Sequence, residues 1–283
     1  MTEIRPATPV ETAADAGPMV YKPDAIEVIV PLLFVVTMAW TTWHFPGFLI
    51  LLREPGPELD RLAREWPLLG PIDWLMALAS FVLLVVGIKT VKRAPMEWQD
   101  WGLFDRVSCF LGRVVMTIIA LMVCVMLYEV LLRYAFEKPT LWANEVTLWL
   151  AGFTFLLSGL YAMQQRSHIR IYLLYDLMPR GIQRTCDVIS TALIVTFAFF
   201  LVYGGYGEAV AKFLRWELYG TAFNPPLPAT IKPMILLVIV LVAVQAVANL
   251  FRDWNLEPVI HTAADDIDQD ELERLRRAVG SND

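Results

Sequence analysis

Six apolar runs, each long enough to cross the hydrocarbon core of a bilayer, leave this chain few ways to fold. They are 26–52, 72–91, 107–132, 142–163, 187–206 and 231–251. A spanning helix needs ~20 apolar residues. Lipid admits only helices and closed barrels, because every backbone amide must find its partner inside the protein. With 57% of 283 residues hydrophobic and 18% charged, the chain is also too apolar for an ordinary soluble protein. The expected fold is an all-α integral membrane protein of six spans.

The segments between the runs define the organisation. Residues 1–25, rich in Pro, Ala, Thr and Glu, predict a disordered leader. No cleavable signal is expected, because the first apolar run starts late, after a weakly acidic stretch without a small-residue cleavage site. Residues 26–92 predict an N-terminal transmembrane hairpin whose first helix breaks or kinks at Pro46-Gly47. Leu59, Leu62 and Trp66 at i, i+3 and i+7 predict a short helix lying on the surface. Residues 93–254 hold four further spans, entered through a basic, Trp-bearing connector (Lys92, Arg93, Trp98, Trp101, Arg106, Arg113). Gly204, Gly205 and Gly207 predict a close helix contact or a loosened helix end. Residues 255–283 form an acidic tail with a soluble helix expected over 270–279.

Charge sets the orientation. With six spans and the N-terminus inside, the outer segments hold Arg53, Arg61, Arg64, Arg133, Lys138, Lys212, Arg215 and Lys232, and the inner segments the other 15 of 23 basic residues. The positive-inside rule then places both termini in the cytoplasm. Two N-terminal crossings leave the later four unchanged in direction, so the arrangement reads as a four-helix core with a hairpin added.

Few polar residues fall at membrane depth, and each needs an account. Glu129 and Arg133 stand at i, i+4 in the favourable order at the end of the third span, with Trp142 and Glu145 opening the fourth. They read as a polar cluster that either closes the hairpin end on itself or meets a partner subunit. Arg166, His168 and Arg170 mark an inner-face corner, more simply a membrane-surface anchor than a ligand set. Gln245 is placed to hydrogen-bond a neighbouring helix. Trp216, Tyr219, Pro225 and Pro226 lie in the loop between the last two spans, readable as an interfacial anchor or a docking loop. Cys109, Cys124 and Cys186 have neither disulfide nor metal spacing. His44 and His261 offer no second haem ligand at helical spacing, and no phosphate-binding Gly loop or nucleophile elbow is present in the sequence. No cofactor, metal or catalytic residue is expected.

The motifs Glu129-x-x-x-Arg133-Tyr134, Trp142-x-x-Glu145, His168-Ile169-Arg170, Leu177-x-Pro179-x-Gly181, Pro228-x-x-x-Lys232 and Gln245 recur in one order at span ends. In this the chain resembles the small membrane subunit (DctQ type) of tripartite ATP-independent periplasmic, or TRAP, transporters, over about residues 105–254. It differs at Tyr172, where the family commonly has an acid, and in the added hairpin. The resemblance implies a four-helix DctQ-like core plus two N-terminal helices, in a small permease subunit of the bacterial inner membrane that is not an enzyme. It implies three partners: a large membrane subunit that carries substrate by an elevator motion, a periplasmic solute-binding protein, and membrane lipids, with no nucleic acid. The process implied is secondary active uptake, by symport, of an organic acid such as a carboxylate. The Trp216 loop would then be the candidate contact for the binding protein. Two alternatives are a membrane-embedded enzyme or electron-transfer subunit, and a self-sufficient six-helix transporter.

Overall fold

The computed structural model describes residues 24–52, 57–66, 68–94, 97, 102–166, 175 and 178–255, with the backbone alone at 57–60. The leader, the tail helix expected over 270–279 and most of the 167–177 corner lie outside the described residues. Among those described are eight helices: α1 (Ala25–Trp43), α2 (Phe45–Leu52), α3 (Pro57–Glu65), α4 (Pro71–Thr90), α5 (Leu103–Ala135), α6 (Ala143–Gln164), α7 (Arg180–Leu214) and α8 (Leu227–Asp253). Six of them, α1 and α4 to α8, are long and apolar enough to cross a membrane. The protein is an all-α, multi-pass membrane protein.

Helix boundaries follow local chemistry. α4 and α5 each begin at a glycine whose amide donates to an aspartate three residues on, Gly70 to Asp73 at 2.8 Å and Gly102 to Asp105 at 2.7 Å. These bonds satisfy amides that a helix start otherwise leaves open. The break in the first apolar run comes at His44, slightly before Pro46-Gly47. Pro46 sits in the first turn of α2, where its missing N–H costs nothing. α5 and α7 have 33 and 35 residues. Both outrun their apolar cores, because charged residues continue each helix past the hydrocarbon, Asp105 and Arg133 in α5 and Arg180, Asp187 and Lys212 in α7. α7 runs unbroken through Gly204, Gly205 and Gly207 to Leu214, so the glycines do not loosen its end.

Packing proceeds as a chain of neighbours: α4 against α1, α1 against α5, then α5 with α6, α6 with α8, and α8 with α7. One apolar core joins α1, α4 and α5 through Val30, Cys109, Phe110, Val114 and Ile118. A second joins α5, α6 and α8 through Val115, Leu157 and Val238. Two glycines permit close approach of aromatic rings from neighbouring helices. A Cβ at Gly87 would run into the Phe110 ring, and one at Gly112 would stand 2.6 Å from the Tyr161 ring.

The third core was not expected. Leu49 of α2 and Leu62 of α3 are buried against Trp216 and Ala229. α3 therefore lies on the α7–α8 loop of its own chain, with Leu62 turned into protein. The described termini gather at one end of the bundle, called here the terminal end, and α2, α3 and the 215–226 loop lie at the opposite, loop end.

Candidate functional site

The polar residues singled out by sequence divide between these two ends. At the loop end, Glu129 is buried although its neighbour Arg133 is 43% exposed along the side chain. One Glu129 oxygen accepts from Arg133 Nε at 3.1 Å and Nη2 at 2.5 Å. The other accepts from the Thr140 amide at 2.9 Å and from the Thr140 hydroxyl. The Thr140 hydroxyl oxygen in turn accepts from the Ala143 amide at 3.4 Å. Glu129 thus ties the end of α5 to the start of α6, and Trp142 adds a tilted ring contact with Tyr128 at 6.1 Å.

Glu145 takes no part in that tie. Its Oε2 accepts from the Thr221 hydroxyl at 2.5 Å and the Asn224 amide at 3.1 Å, which fastens α6 to the α7–α8 loop. One turn on, Trp149 Nε1 donates to Thr230 Oγ1 of α8 at 2.8 Å. The sequence placed Glu129, Arg133, Trp142 and Glu145 in one cluster; the structure makes two ties of them, serving different turns.

The Trp216 loop is covered. Trp216 is 2% exposed and stacks on Phe45 of α2 at 5.4 Å. Pro225 and Pro226 are fully buried. Arg61 of α3 donates to the Arg215 carbonyl at 2.7 Å, and Trp43 stacks on Phe223 at 5.7 Å. Of the four residues named as a docking loop, three have no surface to offer, and Tyr219, 43% exposed, remains open. Trp216 also has φ +47°, left-handed for a bulky residue, at the end of α7. The Glu217 amide donates to the Lys212 carbonyl at 3.0 Å across it, a helix-terminating turn normally built on glycine.

The terminal end holds a larger network. Asp105, fully buried, accepts from the Gly102 amide, from Gln245 Nε2 at 2.9 Å, and from Arg252. Ser108 donates to Gln245 Oε1 at 3.2 Å, and Gln245 Nε2 also reaches Asn249 Oδ1 at 2.9 Å. Asn249 then donates to the Met163 carbonyl at 2.8 Å, so α5, α8 and α6 share one polar seam. Arg166 meets Asp253 through two bonds of 2.8 Å, and Arg180 donates to the Asp253 carbonyl at 2.9 Å. His168 and Arg170, the rest of the expected inner corner, lie outside the described residues. A second group centres on buried Glu97, which accepts from Arg113 at 3.0 Å, from the Tyr161 hydroxyl at 2.9 Å and from the Ala94 amide at 2.7 Å. Lys92 beside it donates its amide to Glu27 at 3.0 Å and its ammonium to Asp24. The bond to Asp24, and that carboxylate's charge, hold the Lys92 ammonium above the usual lysine range.

Sequence reading found Gln245 and missed Asp105, Glu97 and Arg252. The Gly-x-x-Asp spacing of Gly102 and Asp105, ahead of an apolar run, was the available signal.

The segment from mid-α5 through α8, with both its ties, is also where a known family fits. Residues 122–256 match the family described as Tripartite ATP-independent periplasmic transporters, DctQ component. Over this segment, just under half of its length, the chain is similar to the DctQ family. No curated protein and no solved structure matches the chain. The DctQ segment contains Glu129, Arg133, Trp142, Glu145, Trp216 and Gln245, whereas α1 to α4 and the Asp105 half of α5 precede it. The match supports a small permease subunit of a TRAP transporter, here with additional N-terminal helices.

Proposed function

We propose that this subunit is the static membrane frame of its transporter, scaffolding a large transport subunit during ion-gradient-driven uptake of an organic acid, a carboxylate, delivered by a periplasmic binding protein. The family match over 122–256 carries this reading. The internal chemistry is consistent with it: the buried acids Glu27, Asp73, Asp105 and Glu129 are each engaged by amides, hydroxyls or cations at helix ends. A moving domain needs a wide neighbour that resists tilting, and anchors at both membrane boundaries supply that.

The inner membrane is the proposed location, with the terminal end in the cytoplasm and the loop end facing the periplasm. Lys92, Arg113, Arg166, Arg180 and Arg252 all belong to described parts of the terminal end, in line with the positive-inside rule. On the periplasmic side, the surface offered to a binding protein is Tyr219 together with the exposed Arg61, Arg64 and Glu65 of α3. The test is co-purification followed by reconstitution. The chain is expected to isolate with a large TRAP membrane subunit, and vesicles lacking it should fail to take up labelled organic acids. Isolation of the chain alone, with uptake intact in its absence, would refute the proposal.

A further inference from the structure

Arg184, at the start of α7, is a cation without a counter-ion among the described residues. Its guanidinium lies 5.5 Å from the centre of the Trp254 ring, at the end of α8. It has neither a hydrogen bond nor an ion pair to any of them, and its Nε is buried. Two acids stand close by in the chain, and both are engaged elsewhere. Asp253, beside Trp254, gives its carboxylate to Arg166, and Asp187, one turn along α7, accepts from the Tyr175 hydroxyl at 2.7 Å. Arg180, one turn back, donates to Gln183 Oε1 at 3.3 Å and places a second guanidinium on the same side of the helix. The contact with Trp254 uses none of the N–H donors of Arg184, and an arginine fork matches a phosphate at two points.

The level of this cation in the membrane points to the kind of anion. On this side the apolar runs of α7 and α8 end at 187 and 251. Arg184 and Trp254 each stand one short step outside them, about 4–5 Å along a helix axis. That is the headgroup layer, about 5–7 Å deep on each side of the hydrocarbon, and the layer where tryptophan collects. Deeper along α7, Val188 and Val195 are 41% and 40% exposed. At 100° per residue they fall within about 40° of Arg184, so one side of the helix runs from cation to open aliphatic surface. A free phosphate would use the cation alone. A phospholipid with net negative charge matches the whole side, headgroup to acyl chain.

We propose that Arg184, flanked by Arg180 and Trp254, binds the phosphate of an anionic phospholipid in the leaflet at the terminal end, with an acyl chain laid along Val188 and Val195. Net charge makes the discrimination, because a zwitterionic lipid brings its own cation to a site that already holds two. The bound lipid joins the start of α7 to the end of α8, where Arg180 already reaches the Asp253 carbonyl. The site goes beyond the scaffold reading and does not depend on it.

The test gives the full chain, in neutral detergent, phosphatidylglycerol, phosphatidylcholine or inorganic phosphate in turn, and reads adducts by native mass spectrometry. Phosphatidylglycerol should be retained over phosphatidylcholine by about fivefold or more, the share of one arginine at a membrane surface. Inorganic phosphate alone should leave no adduct. Arg184→Gln should bring the two lipids level, while Lys89→Gln, the same charge change at an exposed position of the same end, keeps the preference. Val188→Glu provides an independent readout if Arg184→Gln fails to accumulate. It leaves the arginine in place, supplies a counter-ion one turn away, and should also abolish the preference. Equal retention of both lipids by the wild-type chain would overturn the proposal, as would a preference that survives Arg184→Gln or Val188→Glu. A loss as large in Lys89→Gln would mark diffuse surface charge and overturn the site. Phosphate held as well as the lipid would remove the acyl stripe from it and overturn the lipid assignment.

Discussion

Single residues carry unequal shares of this fold, and burial decides the share. Asp105 holds an amide, an amide side chain and a guanidinium where the carboxylate has no water. Asp105→Ala leaves those donors facing one another, and breaking such a buried arrangement costs about 3–5 kcal/mol. Thermal unfolding in detergent should show a large loss for Asp105→Ala and for Arg252→Met alike, since the second strands a fully buried carboxylate without its cation. Equal small losses would show that the seam is decorative. Trp216 offers a sharper comparison. Removing its ring costs about 3–5 kcal/mol, but its left-handed backbone means glycine recovers roughly 1–2 kcal/mol that alanine does not. Trp216→Gly should therefore melt above Trp216→Ala, the reverse of the order in an ordinary helix. Trp216→Phe should be the mildest of the three, since the indole N–H has no hydrogen-bond partner among the described residues. Glu129 was legible in the sequence because its i, i+4 arginine sits on the same helix. Asp105 was not, because its partners are 140 and 147 positions away and its surroundings read as a basic connector.

At the scale of helices, number and order were legible from hydropathy, and lengths were not. An apolar window ends where the hydrocarbon ends, but a hydrogen-bonded helix continues into its polar flanks, as α7 does from Arg180 to Leu214. Crossing points were legible only in part. Of Gly204, Gly205 and Gly207, expected at a helix contact or a loosened end, Gly205 alone faces a neighbouring helix, whereas Gly87 and Gly112 passed unremarked because nothing local marks which ring will pack on them. Gly112→Ala should force α5 from Tyr161 and loosen the Tyr161–Glu97 bond, at about 1–3 kcal/mol for an overpacked contact. Gly204→Ala, with open space around it, serves as the control and should melt at or slightly above wild type, alanine being the better helix former. If both variants behaved alike, the close α5–α6 approach would be wrong.

The whole molecule is held at both ends by its added N-terminal helices. At the terminal end, Asp24 and Glu27 of the α1 region grip Lys92, and Glu97 further along the connector grips Arg113 and Tyr161. At the loop end, α2 and α3 close over Trp216. The hairpin read from sequence as an addition to a four-helix core is thus a brace across the DctQ segment, a role built wholly from long-range contacts that no local pattern encodes. Leu62→Asp would set a carboxylate under Trp216 and should lift α3, seen as faster proteolysis between residues 217 and 224 and a red-shifted tryptophan emission. Unchanged cleavage would detach α3 from the loop.

A braced bundle that frames a moving neighbour should work when it cannot move itself. The direct measurement is uptake of labelled organic acid by vesicles containing the complete transporter, with α7 locked to α8 through Gly205→Cys and Leu236→Cys in a chain whose three native cysteines are replaced. Undiminished uptake after oxidation is the result predicted here. Uptake lost on oxidation and restored by reduction would contradict it, because the helices of this subunit would then have to move for transport to occur.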